Sequence, residues 1–391
     1  MEKKLKVLEV LDCYRPSVDG PILCIENYAK CLSEDHNVEV ELMVPKYPKY
    51  KDSSNFKIHR IFSIVGVDKY RTPLPMFSRK ARKIFKENKY DLIHIHSPFT
   101  MGKFAAKMAK KYNIPCVCTV HTKYKSDFER KLKSKLMQDF MMRYILKTMN
   151  LSTRLLTVSD GAKETLKEYG YQKSIEVVRN GTDLKYPENP QKLIADVNEK
   201  YNLHNENMVF LFVGRIVENK NIDFSLRALK LLREKNPNFK FLIVGTGIYE
   251  KKLKKLVEEY NLKENVIFTG LISNRNELSG IFLRSDLFLF PSTFDTFGLV
   301  SLEAATMKTP SFVLENTCAS ECIQDGFNGF VGPENEQVWA EKLEQCLKNK
   351  MMIENMKENA YKTIYKSWNT ITNEIYEIYL DTIENYKKET K

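Results

Sequence analysis

An α/β chain with two doubly wound parallel sheets is the fold that the sequence predicts. Three observations point to it. The chain has 391 residues, more than one core of ordinary size holds, and suits two domains of roughly 150–200 residues each. Short apolar runs alternate with helical patterns, as in sheets covered by helices. The alternation runs through the first half, pauses at a Pro-rich stretch and then restarts.

In the first half, strand-like runs fall at 6–11, 38–44, 92–95, 116–120 and 154–158, with helical patterns at 22–33, 77–88, 100–111 and 128–149. In the second half, the strand-like runs are 208–213, 240–244, 265–268, 286–290 and 310–313. Helical patterns there are 221–234, 249–260, 275–284, 298–307 and 335–348. Leu184 to about Tyr201 reads as the linker, because Pro187 and Pro190 bias the residues before them away from helix. The domains are then 1–186 and 187–367, and 368–391 reads as a polar-aromatic helix packing back toward the first domain. Doubly wound sheets hold ligands at the carboxyl ends of their strands, so two facing sheets predict a cleft between the domains.

A hydrophobic content of 43 % excludes overall disorder. No apolar run approaches the ~18 residues that cross a bilayer. Met1 to Lys6 lead straight into the strand at 7–11 without a secretory pattern, so a cytosolic protein is expected. Cys116 and Cys118 point to one strand face, and Cys318 and Cys322 have no partner pair at metal-ligand spacing; both pairs read as reduced thiols. The net charge of +12 favours anionic partners, which composition alone leaves open among nucleotides, nucleic acid and an acidic membrane face.

The segment from Phe290 to Ala305 is the most informative. A strand ends in Pro291 and Ser292, Asp295 follows in a loop, and a helix opens near Gly298 with Glu303 about a turn and a half in. A carboxylate accepts hydrogen bonds from adjacent sugar hydroxyls. A helix start offers backbone N–H groups and a positive dipole end to phosphate, and Gly298 allows close approach. Upstream, Gly214 and Arg215 end a buried strand and Lys220 precedes the next helix, two cations placed to clamp a diphosphate. Val244, Gly245 and Gly247 form a second glycine turn that is not a dinucleotide fingerprint, because Glu250 takes the third glycine's place.

These motifs resemble those of the GT-B glycosyltransferases of the retaining family 4 type. The resemblance implies that Asp295 contacts the donor sugar, where the family usually has Glu, and that Glu303 binds the ribose hydroxyls. It implies that Arg215 and Lys220 hold the diphosphate, and that Thr296, Phe297, Gly298 and Leu299 complete the donor loop with Gly214 and Gly245. Gly270, Leu271 and Ile272 resemble the segment whose backbone faces the nucleobase. Asn180, Gly181 and Asp183 resemble the turn before the hinge. In the first domain, Asp19, Gly20 and Pro21 resemble the family's glycine-rich loop, which implies a backbone N–H of Gly20 for the donor phosphate, with Asp19 where a second glycine is usual. The resemblance implies that His121, at the end of its strand, contacts the donor sugar and is needed for turnover. His96, Asp19 and Tyr124 are candidates for the acceptor side. His94 and His96 share a strand face, but no third ligand stands at a zinc spacing, so no metal is expected. No Asp-x-Asp occurs, which fits a metal-independent design with no cofactor beyond the nucleotide diphosphate sugar, a UDP-hexose before a GDP-hexose.

Residues 123–147 form a basic amphipathic pattern in which Phe128, Leu132, Leu136, Phe140 and Tyr144 recur every four residues. A second basic stretch runs from Arg71 to Lys89. Such helices lie on an anionic bilayer or pack on a core. With His121 and Tyr124, these stretches are loosely similar to the bacterial diacylglycerol glucosyltransferases. The expected activity is retaining hexosyl transfer to a lipid-linked or saccharide acceptor in glycolipid or cell-surface polysaccharide synthesis, in the cytoplasm or on the inner membrane face. The alternatives are a sugar-nucleotide epimerase on the same fold and a basic nucleic-acid-binding protein, for which no RNA-binding aromatic motif or helix-turn-helix stands out, so no specific nucleic acid is expected.

Overall fold

The computed structural model describes residues 4–17, 19–66 and 70–389. They form two compact units, Met1–Gly181 with Ser367–Lys391, and Thr182–Lys366.

The first unit contains β1 (Leu5–Val10), α1 (Gly20–Asp35), β2 (Val38–Pro45), β3 (Lys57–Ile61), β4 (Ser63–Val65), β5 (Arg71–Pro73), α2 (Arg79–Glu87), β6 (Leu92–Ile95), α3 (Thr100–Tyr112), β7 (Cys116–Val120), α4 (Tyr124–Lys131), α5 (Lys135–Met149), β8 (Arg154–Thr157), α6 (Asp160–Glu168) and β9 (Glu176–Val177). Seven strands pair in parallel in the order β3-β2-β1-β6-β7-β8-β9. The order reverses at β1, between β2 and β6, so the carboxyl ends of β1, β6 and β7 surround a switch point, where open sheets bind ligands. Asp12, just past β1, is half-buried. It accepts hydrogen bonds from the Met101 and Gly102 amides at 2.7 and 3.2 Å and from Ser97 and Thr100 at 2.8 and 3.0 Å. A carboxylate at a helix start is stabilised by the dipole, and here it ties the start of α3 to β1.

The second unit contains α7 (Pro190–Tyr201), β10 (Met208–Val213), α8 (Ile222–Lys235), β11 (Phe239–Val244), α9 (Glu250–Glu259), β12 (Val266–Gly270), α10 (Arg275–Arg284), β13 (Leu287–Phe290), α11 (Leu299–Thr306), β14 (Ser311–Leu314), β15 (Gly329–Gly332), α12 (Glu336–Lys348) and α13 (Lys350–Ile364). Its six parallel strands follow the order β12-β11-β10-β13-β14-β15, with the reversal at β10. The chain then enters α14 (Trp368–Glu389), whose Trp368, Ile371, Ile375, Tyr379 and Ile383 join the first unit's core with Val7, Leu11, Ile25 and Tyr28.

Two sequence expectations are corrected. The linker read over Leu184–Tyr201 is helical from Pro190 onward. Pro190 sits in the first turn, where no amide hydrogen is needed, and the Asn189 side chain caps the Lys192 N–H at 3.3 Å. The single helix expected over 128–149 is two. Leu132 and Ser134 adopt extended backbone, and the Gln138 side chain donates to the Leu132 carbonyl at 2.7 Å. The break separates a buried Phe128 from Leu136 and Phe140, which are 80 % and 57 % exposed.

Candidate active site

In the second unit, four loops meet the carboxyl ends of neighbouring strands. The turn after β10 and the turn after β11 touch backbone to backbone. A Cβ on Gly245 would stand 1.9 Å from the Gly214 carbonyl oxygen, and Gly245 has φ +130°, so only glycine fits. Arg215 leaves this turn exposed. Among the described residues its guanidinium forms no hydrogen bond or ion pair. Lys220 lies just before α8, and its ammonium sits 2.7 Å from both oxygens of Asp295 in the loop after β13. The same ammonium lies 5.0 Å from the centre of the Phe290 ring. The sequence reading gave these two charges to separate parts of the donor; the structure joins them in one partly buried pair.

Gly298 caps α11 with φ +81° and ψ 57°, a left-handed conformation, and its carbonyl accepts the Ser301 N–H at 2.9 Å. This leaves the amides of the first turn, from Leu299 on, directed out of the helix start. Phe297 packs against the core beneath, and Thr296 is half-buried beside it. Leu271, after β12, is 73 % exposed, whereas Ile272 packs on the core.

Glu303 is half-buried on α11, a helix otherwise made of Leu, Val, Ser, Ala and Thr. Burial pushes its carboxyl up to about 7. Nearby Arg275 offsets part of this and Asp183 adds to it. Arg275 and Asp183 are themselves ion-paired. No hydrogen bond reaches the Glu303 carboxylate among the described residues. Sequence reasoning missed Asn219 and Ser301, whose Oδ1 and Oγ are buried without partners in the ligand-free chain. Such groups are rare in native structures and mark places completed by a ligand or water. A polar residue in the apolar pattern of α11 was the available signal for Ser301.

In the first unit, Gly20 is the first residue of α1. Pro21 has no amide hydrogen, and the Ile22 and Leu23 amides bond to the Asp19 carbonyl at 3.0 and 3.2 Å, so Gly20 N–H is the donor left at this helix start. The Asp19 carboxylate accepts the Tyr70 hydroxyl at 2.6 Å. Tyr124, expected on the acceptor side, lies buried in the core with its ring 5.3 Å from Phe99. His121 ends β7 and is 7 % exposed, with Nε2 3.0 Å from Nδ1 of His96. His96 is 1 % exposed, so it does not line an acceptor surface as the sequence suggested; it lies behind His121. The zinc question also changes. Glu9 supplies the third group beside His94 and His96 that the spacing did not reveal, with ligand atoms within 4.8 Å of one another. Short hydrogen bonds occupy all three. Cys116 and Cys118 are buried on β7, where burial pushes both thiols up.

Two switch-point sheets, one carrying two cations, two carboxylates and a helix start, define a nucleotide-sugar transferase of the GT-B fold. The comparisons agree. Residues 20–186 match the model of Glycosyltransferase Family 4, and residues 194–363 match that of Glycosyl transferases group 1. An Escherichia coli UDP-Gal:alpha-D-GlcNAc-diphosphoundecaprenol alpha-1,3-galactosyltransferase is 31 % identical over 318 residues, 78 % of this chain and 78 % of that protein. An Acholeplasma laidlawii alpha-monoglucosyldiacylglycerol synthase is 24 % identical over 403 residues, 96 % of this chain and 97 % of that one. The crystal structure of Anabaena HepE in complex with UDP superposes with a TM-score of 0.78 at 18 % identity, covering 96 % of this chain and 99 % of that one. The chain belongs to the group 1, family 4 glycosyltransferases and is a hexosyltransferase. The epimerase alternative finds no support among these relatives.

Proposed function

We propose that this chain moves a hexose, with retention, from a UDP-hexose to the hydroxyl of a lipid-linked acceptor at an anionic membrane face. The observation that carries the reading is the cluster at the second unit's switch point. Arg215 is an uncommitted cation, Lys220 and Asp295 form a pair that a donor would divide, and Glu303 is a carboxylate awaiting donors. Lys220 and Arg215 would take the diphosphate, the first amides of α11 would help them, and the freed Asp295 would accept sugar hydroxyls. The same cations stabilise charge as the nucleotide departs, and a departing phosphate oxygen takes the acceptor proton on the same face. No divalent ion enters this scheme, because Arg215 and Lys220 supply the positive charge to the diphosphate. Glu303 accepts the ribose hydroxyls.

A lipid-linked acceptor is supported by both sequence relatives, one a monoglucosyldiacylglycerol synthase and the other a galactosyltransferase of a GlcNAc-diphosphoundecaprenol. It is also supported by this chain's own surface. Leu136 and Phe140 on α5, and Phe77 at 83 %, are exposed beside basic residues. A cavity of about 280 Å³ beside Phe77 is lined by Met76, Phe77, Phe104, Lys103, Lys107 and Tyr144. The Lys103 ammonium lies 3.5 Å from the centre of the Tyr144 ring. Burial pushes this ammonium down, and Lys107 and Lys147 add to that, so an anion here relieves both. Among the described residues no helix is long and apolar enough to cross a membrane.

The test is turnover of UDP-glucose, UDP-galactose and GDP-mannose with vesicles carrying diacylglycerol or a lipid diphosphate sugar, with and without EDTA, and NMR of the product. An axial glycosidic linkage formed in EDTA is expected. Hexose interconversion without transfer would sink the reading. In sedimentation, phosphatidylglycerol vesicles are expected to retain the chain at low salt and phosphatidylcholine vesicles to release it. Phe140→Asp should cut retention several-fold; equal retention by both vesicle types removes the membrane part.

A further inference from the structure

The cavity beside Phe77 adjoins the switch point of the first sheet. Thr100, part of its lining, opens α3 and donates to Asp12, just past β1, at 3.0 Å. One wall is made of residues 73–77, the end of β5 and the tight turn after it. Lys103, Phe104 and Lys107 on α3 and Tyr144 on α5 complete it.

Three side chains of this lining are donors without an acceptor. The Lys103 ammonium is half-buried over the Tyr144 ring. Lys107 follows one turn further along α3, and Tyr144 offers its hydroxyl. Among the described residues no carboxylate pairs with Lys103, Lys107 or the neighbouring Lys147, and the Tyr144 hydroxyl makes no hydrogen bond. Burial and the two nearby cations push the Lys103 ammonium down, so the place is short of negative charge. The start of α3 cannot supply the missing contacts to an anion, because Asp12 already accepts its Met101 and Gly102 amides. An anion in the cavity is held by side chains.

The rest of the lining narrows the ligand. Residues 73–77 are Pro, Leu, Pro, Met and Phe, and Phe104 adds a ring. A neutral hydroxyl lipid would leave two ammonium groups uncompensated. A free phosphate would leave the apolar wall uncovered. A lipid phosphate ester meets both: its oxygens accept from the lysines and the tyrosine, and its first methylenes cover Met76 and Phe77. About 280 Å³ lies just below the ~300 Å³ at which pockets for small ligands begin, enough for a headgroup, with the hydrocarbon left to the exposed apolar side chains outside.

We propose that Lys103, Lys107 and Tyr144 bind a phosphate group of the acceptor lipid, so that the chain selects lipid-phosphate acceptors over neutral ones such as diacylglycerol. The selection rests on the hexosyltransferase reading of the preceding section; the binding of an alkyl phosphate in this cavity does not.

Binding is measured first, by phosphorus NMR of hexyl phosphate titrated into the full chain, with hexanol and inorganic phosphate as competitors. Hexyl phosphate is expected to saturate one site from which equal concentrations of either competitor do not displace it. Lys103→Met and Lys107→Met should each weaken it about tenfold, as expected when a charged hydrogen bond is lost. Lys107 is exposed, so its variant carries the test if Lys103→Met does not fold. Transfer is measured second, as kcat/KM for two acceptors of the same sugar and chain, one joined through phosphate and one through an ether, in micelles of an uncharged detergent. The native chain should prefer the phosphate acceptor by about tenfold or more, and each lysine variant should lose most of that preference through KM. Tyr144→Phe should lose a smaller part. Binding untouched by both lysine variants overturns the site. Displacement by equal inorganic phosphate overturns its lipid character. Equal use of the two acceptors by the native chain overturns the selection. If added phosphatidylglycerol speeds transfer to the ether acceptor and both lysine variants abolish this, the cavity serves an effector lipid and the acceptor assignment is overturned. Hexyl phosphate bound through the lysines, with no turnover of any sugar nucleotide, would count against the proposed function alone.

Discussion

Lys220→Ala is expected to lower turnover by about 10²–10³-fold, the usual cost of removing one group that stabilises developing negative charge. Asp295→Ala should cost a comparable factor. The informative quantity is the double variant. Lys220 and Asp295 hold each other through both carboxylate oxygens at 2.7 Å, so each single change also strands its partner in a partly buried place. Groups in direct contact are not additive. The double variant should therefore lose far less than the product of the two single losses. If the losses multiply, the ammonium and the carboxylate act independently and the division of this pair by the donor is wrong. Steady-state rates at saturating UDP-hexose decide it.

The second large effect has opposite signs in two assays. Glu303 rises from 4.5 to about 7 in the folded chain. The sign follows from linkage: a carboxyl raised by folding favours the folded state below its unfolded value, and that benefit is lost as pH rises through the folded value. The loss therefore accumulates between about 4.5 and 7 and is complete at pH 8. At ~1.4 kcal/mol per pKa unit, the folded state is then weakened by up to about 3 kcal/mol. Glu303→Gln removes this and should stabilise the chain at pH 8 by about 1–3 kcal/mol, several degrees in apparent melting, with little gain at pH 5. The same change should weaken UDP-hexose binding about 10–100-fold at pH 8, because hydrogen bonds to a charged acceptor contribute roughly 1.5–3 kcal/mol. Native affinity should fall as pH drops below about 7, and the variant should be flat. A merely structural Glu303 would leave calorimetric donor binding unchanged, and that result would remove it from the site.

The parts legible in the sequence share a local signal. β10, β11 and β13 are buried and read as short apolar runs, so their positions were visible to within a residue or two. β15, Gly329–Gly332, and β9, Glu176–Val177, carry no such run and owe their state to a neighbouring strand. The Pro pair that suggested a linker conceals α7, since Pro is as much at home in a helix's first turn as in a loop. The spacing of Asp295 and Glu303 is local and could be read. The Lys220–Asp295 pair and the Glu9–His96 bond join residues far apart in the chain, and no pattern along one segment reveals them. Glu9 did leave a trace: a single carboxylate inside Val7, Leu8, Val10 and Leu11 is costly unless something meets it.

What meets it includes the chain's closing helix. Tyr379 on α14 donates to Glu9 on β1, and Trp368, Ile371 and Ile375 fill the same core as Val7 and Leu11. During synthesis, β1 emerges first and α14 last among these elements. Domains usually fold in the order they are made. Here the second unit, continuous from Thr182 to Lys366, has all its residues while the first still lacks a wall. The earlier-made unit is thus expected to be the later to complete its core.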